Sequence, residues 1–213
     1  MHSSVASSVV PLVLARLREL GLDPAGLVGV HRLGERASGE LMFEAMLSFV
    51  NGAAALSGDP YFGLHLGAAY KPGLLGALEL YCSTVPTLGA ACERMVRSAR
   101  LLHPELELSL VVEGESAYFG RDLPGQHSRH EGRHLQEFFM ATLVQIARAL
   151  THTGIRLKQV GLSRRAPSDP GELVRFFGTS ELEFEAERVG FAFPREYLVL
   201  PCGPAGRAAA AQI

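Results

Sequence analysis

The stretch "ELELSLVVEGESAYFGRDL", residues 105–123, decides the kind of fold this chain adopts. Polar and apolar residues alternate through it, which sends successive side chains to opposite faces of an extended strand. Glu113-Gly114-Glu115 breaks the alternation at its centre, and glycine supplies the backbone freedom that a tight reversal needs. The stretch therefore predicts a β-hairpin, set in a chain whose other signals are largely helical.

Upstream of the hairpin the apolar period is that of a helix. "VVPLVLARLREL" predicts a helix from Val9 to Leu20, with Gly21 as its stop. Leu41 to Leu56 gives a second amphipathic helix. Asp59 and Pro60 suit the cap and first position of a third, covered by Phe62, Leu64 and Leu66. A short helix over Leu74–Cys82 and one capped by Thr87 and running to about Leu102 complete this half. Arg94, Arg97 and Arg100 recur on the outer side of the latter, as a nucleic-acid contact or, the reading preferred here, as a solvated face.

Downstream, a long helix from about Ser128 to Thr151 precedes a strand in "LKQVGLS". Asp169-Pro170 opens a short helix to Phe177, and "LEFEAERVGFAFP" predicts a second hairpin turning near Glu187–Gly190. The order is N-terminal helices followed by β-β-α-β-α-β-β. Strands joined by hairpins imply a mainly antiparallel sheet packed against helices, an α+β domain.

Composition narrows the function. Lys and Arg number 20 against 22 Asp and Glu, a net charge of −2, so the chain lacks the basic footprint of a nucleic-acid-binding module. There is no polybasic membrane patch, spanning segment or signal peptide, which predicts a cytoplasmic protein with no membrane partner. Cys82, Cys92 and Cys202 are odd in number and show no CxxC spacing, so they read as core filler in a reducing compartment. Phosphate-cradling loops and the usual hydrolase signatures are missing. No catalytic residue, enzyme activity or cofactor is expected.

The one cluster of chemical interest is "HSRHEGRHLQEFF", residues 127–139. At about 100° per residue, His127, His130, His134, Glu137 and Phe138 share one side of the long helix. Leu135, Phe139, Leu143, Ile146 and Leu150 lie on roughly the opposite side, which predicts the core contact. Two readings follow for the polar stripe. It is a face that is solvated or covered by a second layer or subunit, with Phe138 favouring cover. Alternatively, His130, His134 and Glu137 hold a metal with one further ligand, as in a small metal sensor or metal-assisted hydrolase. His65, between leucines, reads as a satisfied boundary histidine, and Tyr81 as core packing or a hydroxyl aimed into a pocket.

A succession of segments is more specific than any single motif. "LSGDPYFGLHLG" (56–67), "KPGLLGALELYCSTVPTLGAACERMVR" (71–97), "LSLVVEGESAYF" (108–119), "RHLQEFFMATLVQIARAL" (133–150), "VGLSRRAPSD" (160–169) and "FFGTSELEFEAERVGFAFPREYLVLP" (176–201) occur in that order. In this order the chain, from about Val9 to Pro201, resembles the N-terminal regulatory, arabinose-binding-like domain of AraC-type bacterial transcription regulators. The resemblance implies sensing of a small-molecule effector, self-association as a homodimer, and control of a C-terminal helix-turn-helix domain. DNA would be reached only through that domain, and nothing in this chain resembles it. The expected division is a regulatory domain over residues 1–201 and the start of a linker over 202–213. Tyr81, His103, His134, Glu137 and Phe138 are the candidate pocket or interface residues, and no metal site is carried over. The helix-first order does not read as an eight-stranded barrel.

Overall fold

Val9, Val13 and Leu17 recur every four residues, and the first helix, α1 (Val5–Glu19), buries all three completely. A computed structural model of the protein describes residues 5–27, 39–73, 77–102, 107–122 and 132–203. Helix α2 (Gly39–Ser57) adds Phe49, Val50 and Ala53 to the same interior. At its end the chain reverses through an Asp59 turn, in which Oδ1 accepts from the Tyr61 N–H at 2.8 Å. Helix α3 (Phe62–Ala68) follows and contributes Phe62 and Leu66. These residues form an all-helical core.

Helices α4 (Ala77–Ser83) and α5 (Leu88–Leu102) lead to the sheet. Thr87 caps α5, its Oγ1 accepting from the Ala90 N–H at 3.3 Å. The expected hairpin is present as β1 (Ser109–Glu113) and β2 (Ser116–Asp122). Glu113 faces Ser116, so Gly114-Glu115 is a two-residue turn with Gly114 at φ +56°. Then come α6 (Arg133–Thr151), β3 (Gln159–Leu162), α7 (Gly171–Phe177), β4 (Leu182–Phe184) and β5 (Arg188–Pro194). A 3₁₀ turn over Arg195–Val199 follows, after which Pro201 bridges back to Thr87.

Among the described residues, five strands form one sheet in the order β1-β2-β5-β3-β4. Only β3 and β4 pair in parallel; the other pairings are antiparallel, as the mainly antiparallel reading requires. The second hairpin expected in "LEFEAERVGFAFP" does not form. β4 pairs with one side of β3 and β5 with the other, so β3 lies between them. Glu185 at φ +54° and Ala186 carry the chain across the end of β3, donating to the carbonyls of Arg164 and Leu162. Local alternation marked the presence of both strands, but residues 188–190 of the expected turn lie within β5, and alternation carries no information about which strand each one pairs with.

One face of the sheet presents Ala117, Phe119, Val160, Leu162, Phe191 and Phe193 to a second apolar core, shared with Met140 and Val144 of α6. α6 therefore runs between two cores. Cys82 and Cys202 are buried there with Cys92 partly buried. Burial foremost, then the nearby Cys202 and Cys82, pushes the Cys92 thiol up to about 12, so it is protonated and inert at neutral pH. Among the described residues no helix is long and apolar enough to cross a membrane.

Candidate functional site

α3 and α6 approach until their backbones touch. A Cβ on Gly63 would lie 1.9 Å from the His134 carbonyl oxygen. One on Gly67, a turn later, would lie 2.5 Å from the Phe138 carbonyl oxygen and 2.6 Å from the Ala141 methyl. Only glycine permits this crossing. It brings His134, Glu137 and Phe138 under the helical layer, and all three are buried, at 4%, 0% and 0% exposure.

Several polar groups of this seam pair with one another. Arg164, in the loop after β3, is 5% exposed and donates from Nη1 to Glu137 Oε1 at 2.7 Å. Its guanidinium lies 5.3 Å from the Tyr61 ring centroid, and the Tyr61 hydroxyl donates to the Asp169 carbonyl. Gln136 Oε1 accepts from both the N–H and the hydroxyl of Ser163, at 3.1 and 2.9 Å. His65 stands between Asp59, at 2.6 Å, and Glu172, at 3.6 Å. The seam thus fastens α3, α6 and the β3–α7 loop together. Burial pushes the Glu137 carboxyl above its ordinary value, against the opposing pull of Arg164. Glu137 Oε2 and the Thr142 hydroxyl are buried with no hydrogen-bond partner among the described residues.

Both nitrogens of His134 face N–H donors: Gly63 N–H at Nδ1, 3.4 Å away, and Arg133 Nε at Nε2, 3.1 Å away. A protonated ring would have no acceptor to offer either group. Burial first, then the charges of Arg133 and Arg164, lowers the His134 pKa to about 4. His134 also borders a groove of about 420 Å³ between the end of α2 and the start of α6, with Asn51, Asp59 and Arg133.

The structure brings together three of the five candidate residues. Tyr81 lies apart on α4, 47% exposed, with Arg94 stacked 4.6 Å from its ring. His103 lies outside the described residues, as do His127 and His130. Arg164 occupies Glu137, and among the described residues no three His, Cys, Asp or Glu side chains are grouped to hold a metal. The arginine stripe of α5 is engaged locally: Arg94 with Tyr81 and Thr84, Arg97 with Glu93, and Arg100 with Glu107.

Sequence reasoning missed Arg164 and Tyr61, because nothing in "VGLSRRAPSD" marks one arginine of the pair as buried. It also missed a second groove, of about 430 Å³, on the sheet face turned away from α6. A signal for it exists. Ala192, a small residue alternating with Phe191 and Phe193 on β5, lines it.

These layers define an α+β domain with two cores, an architecture that a solved transcription regulator also contains. The crystal structure of the transcriptional regulator CdpR from Pseudomonas aeruginosa aligns with a TM-score of 0.66, covering 95% of this chain and 59% of that one at 17% identity. The chain belongs to the family described as the N-terminal arabinose-binding domain of AraC transcription regulators, whose pattern matches residues 14–202. The ornithine utilization regulator of Pseudomonas aeruginosa is 28% identical over 164 residues, 77% of this chain and 48% of that protein. The chain thus spans about half the length of this curated relative. The family is one of transcription regulators, not of enzymes.

Proposed function

We propose that this chain senses a small-molecule effector and self-associates as a homodimer in the cytoplasm, controlling a helix-turn-helix domain through which alone DNA is contacted. The observation that carries this reading is the family match, which runs through both cores from residue 14 to residue 202. Residues 1–201 act as the regulatory domain and 202–213 as the start of a linker. The effector works by binding one arrangement of the domain more tightly than another. It is a small polar molecule: the family description concerns arabinose, and the relative's name concerns ornithine. His134, Glu137 and Phe138 transmit the change between the two cores, and Tyr81 belongs to an interface on the outer surface.

Deleting residues 1–201 from the full-length regulator tests the reading. The expected result is promoter binding or expression that no longer responds to any effector. Unchanged regulation after the deletion would remove it.

A further inference from the structure

The sheet face turned away from α6 carries glycines on three strands. Gly120, Gly190 and Gly161 stand side by side on β2, β5 and β3. A Cβ on each would come within 2.4, 2.3 and 2.2 Å, respectively, of a backbone oxygen on the adjacent strand. The strands therefore approach one another closely on this face, where only glycine leaves room. The Tyr118 hydroxyl lies over two of them, 2.6 Å from the Cβ position of Gly120 and 2.8 Å from that of Gly190. The Arg188 guanidinium stacks 4.1 Å from the Tyr118 ring centroid. Ala192 takes up little space on the same face and leaves the groove open.

Charges of both signs line this groove: Lys158 and Arg188, with Glu113 and Glu181. Lys158 reaches across β5 to donate to the Glu115 carbonyl at 2.8 Å and the Ser116 hydroxyl at 2.9 Å. Neither acceptor carries a charge, so its ammonium still presents a positive field to the groove. A purely anionic or purely cationic ligand would complement one pair and repel the other. A neutral sugar would partly desolvate the Lys158 ammonium and the two carboxylates without complementing either sign. A molecule bearing a carboxylate and an ammonium group complements both signs, and its carbon stem fits against Ala192 and the Tyr118 ring.

Resting on the effector-sensing reading above, we infer that this groove is the effector site and that it takes a small zwitterion of the amino-acid class. Thermal denaturation of the 213-residue chain tests this, with L-alanine, L-lysine and L-glutamate as probes and acetate, n-butylamine and arabinose as controls. At least one zwitterion should raise the midpoint by about 2–4 °C or more at saturation, while acetate and n-butylamine give no shift. Ala192→Leu, which fills the floor, and Lys158→Met, which removes a charge without adding bulk, should each weaken that zwitterion at least tenfold. A zwitterion shift that survives both substitutions overturns the assignment of the site. A shift with arabinose alone overturns the ligand class and leaves the effector-sensing reading standing. No shift with any probe overturns the inference, and sinks the broader reading as well only if the deletion of residues 1–201 leaves regulation unchanged. A concentration-dependent dimer that either substitution dissociates would assign the groove to a second copy of the chain instead.

Discussion

α6 meets the helical core through Leu135 and Phe138, and the sheet core through Met140, Ala141 and Val144, and the two contacts are built differently. On the sheet side, alternating apolar side chains interdigitate with those of the helix. On the helical side, α3 lies so close that glycines replace side chains, and a buried ion pair with a neutral histidine fills the adjoining seam. Apolar packing tolerates repacking, whereas a backbone-tight polar seam has little slack. The seam therefore has less room to repack than the sheet contact.

The strongest break of this contrast is Arg164→Ala, which strands the Glu137 carboxylate in the interior. It should cost about 3–5 kcal/mol in denaturant unfolding. The double substitution Glu137→Leu with Arg164→Met should recover most of that stability, since an apolar pair of similar volume avoids the desolvation cost. If the double variant is as unstable as the single one, the seam depends on charge for more than neutralisation.

Gly63→Ala comes next. Its methyl meets the His134 carbonyl, so the helices must separate, at about 1–3 kcal/mol. Hydrogen exchange should rise in α1, α2 and α3 before it rises in the strands. Uniform loss of protection would mean that the two cores unfold as one.

Acid titration probes the seam more gently. The folded His134 ring holds off its proton until about pH 4, whereas an unfolded histidine takes one up near 6.5. The stability it contributes is complete above about pH 6.5 and is lost as pH falls toward 4, by at most about 1.4 kcal/mol per pH unit. Stability profiles of the parent chain and His134→Gln should therefore diverge in this window. Parallel profiles would show that the ring titrates normally.

The smallest effect carries the opposite sign. Gly52 lies in α2, where an added methyl would sit 3.4 Å from Leu27 Cδ2, an ordinary contact. Gly52→Ala should stabilise the chain by about 0.5–1 kcal/mol, because alanine is the better helix former. Two helical glycines thus predict opposite outcomes, and the midpoints of the two variants distinguish them.

Much of this architecture was legible in the residues themselves. Thr87 announced the start of α5 and Gly114 the turn of the hairpin, while the short helix expected to run to Phe177 ends there, with Gly178 at φ +73°. Those signals are local: a hydroxyl within reach of the first turn, or a backbone angle that side chains resist. The candidate site was only half legible. The helical wheel separated His134, Glu137 and Phe138 from Leu143 and Ile146, and it pointed to cover through Phe138. It could not say that the cover was this chain's own α3, because the two glycines of "FGLHLG" look like ordinary loop or helix residues until a partner helix lies against them.

By itself the sequence determined the element types, the α+β class, the absence of a basic nucleic-acid footprint and, through the order of its segments, the family. These follow from periodicity, capping and composition, which act within a few residues or sum over the chain. Only the tertiary structure decided that β3 lies between β4 and β5, that Arg164 meets Glu137, and that a groove lined by charges of both signs lies on the far face of the sheet. Each of those depends on contacts between segments far apart in the chain, and a partner's identity is written in its geometry rather than in the local pattern on either side.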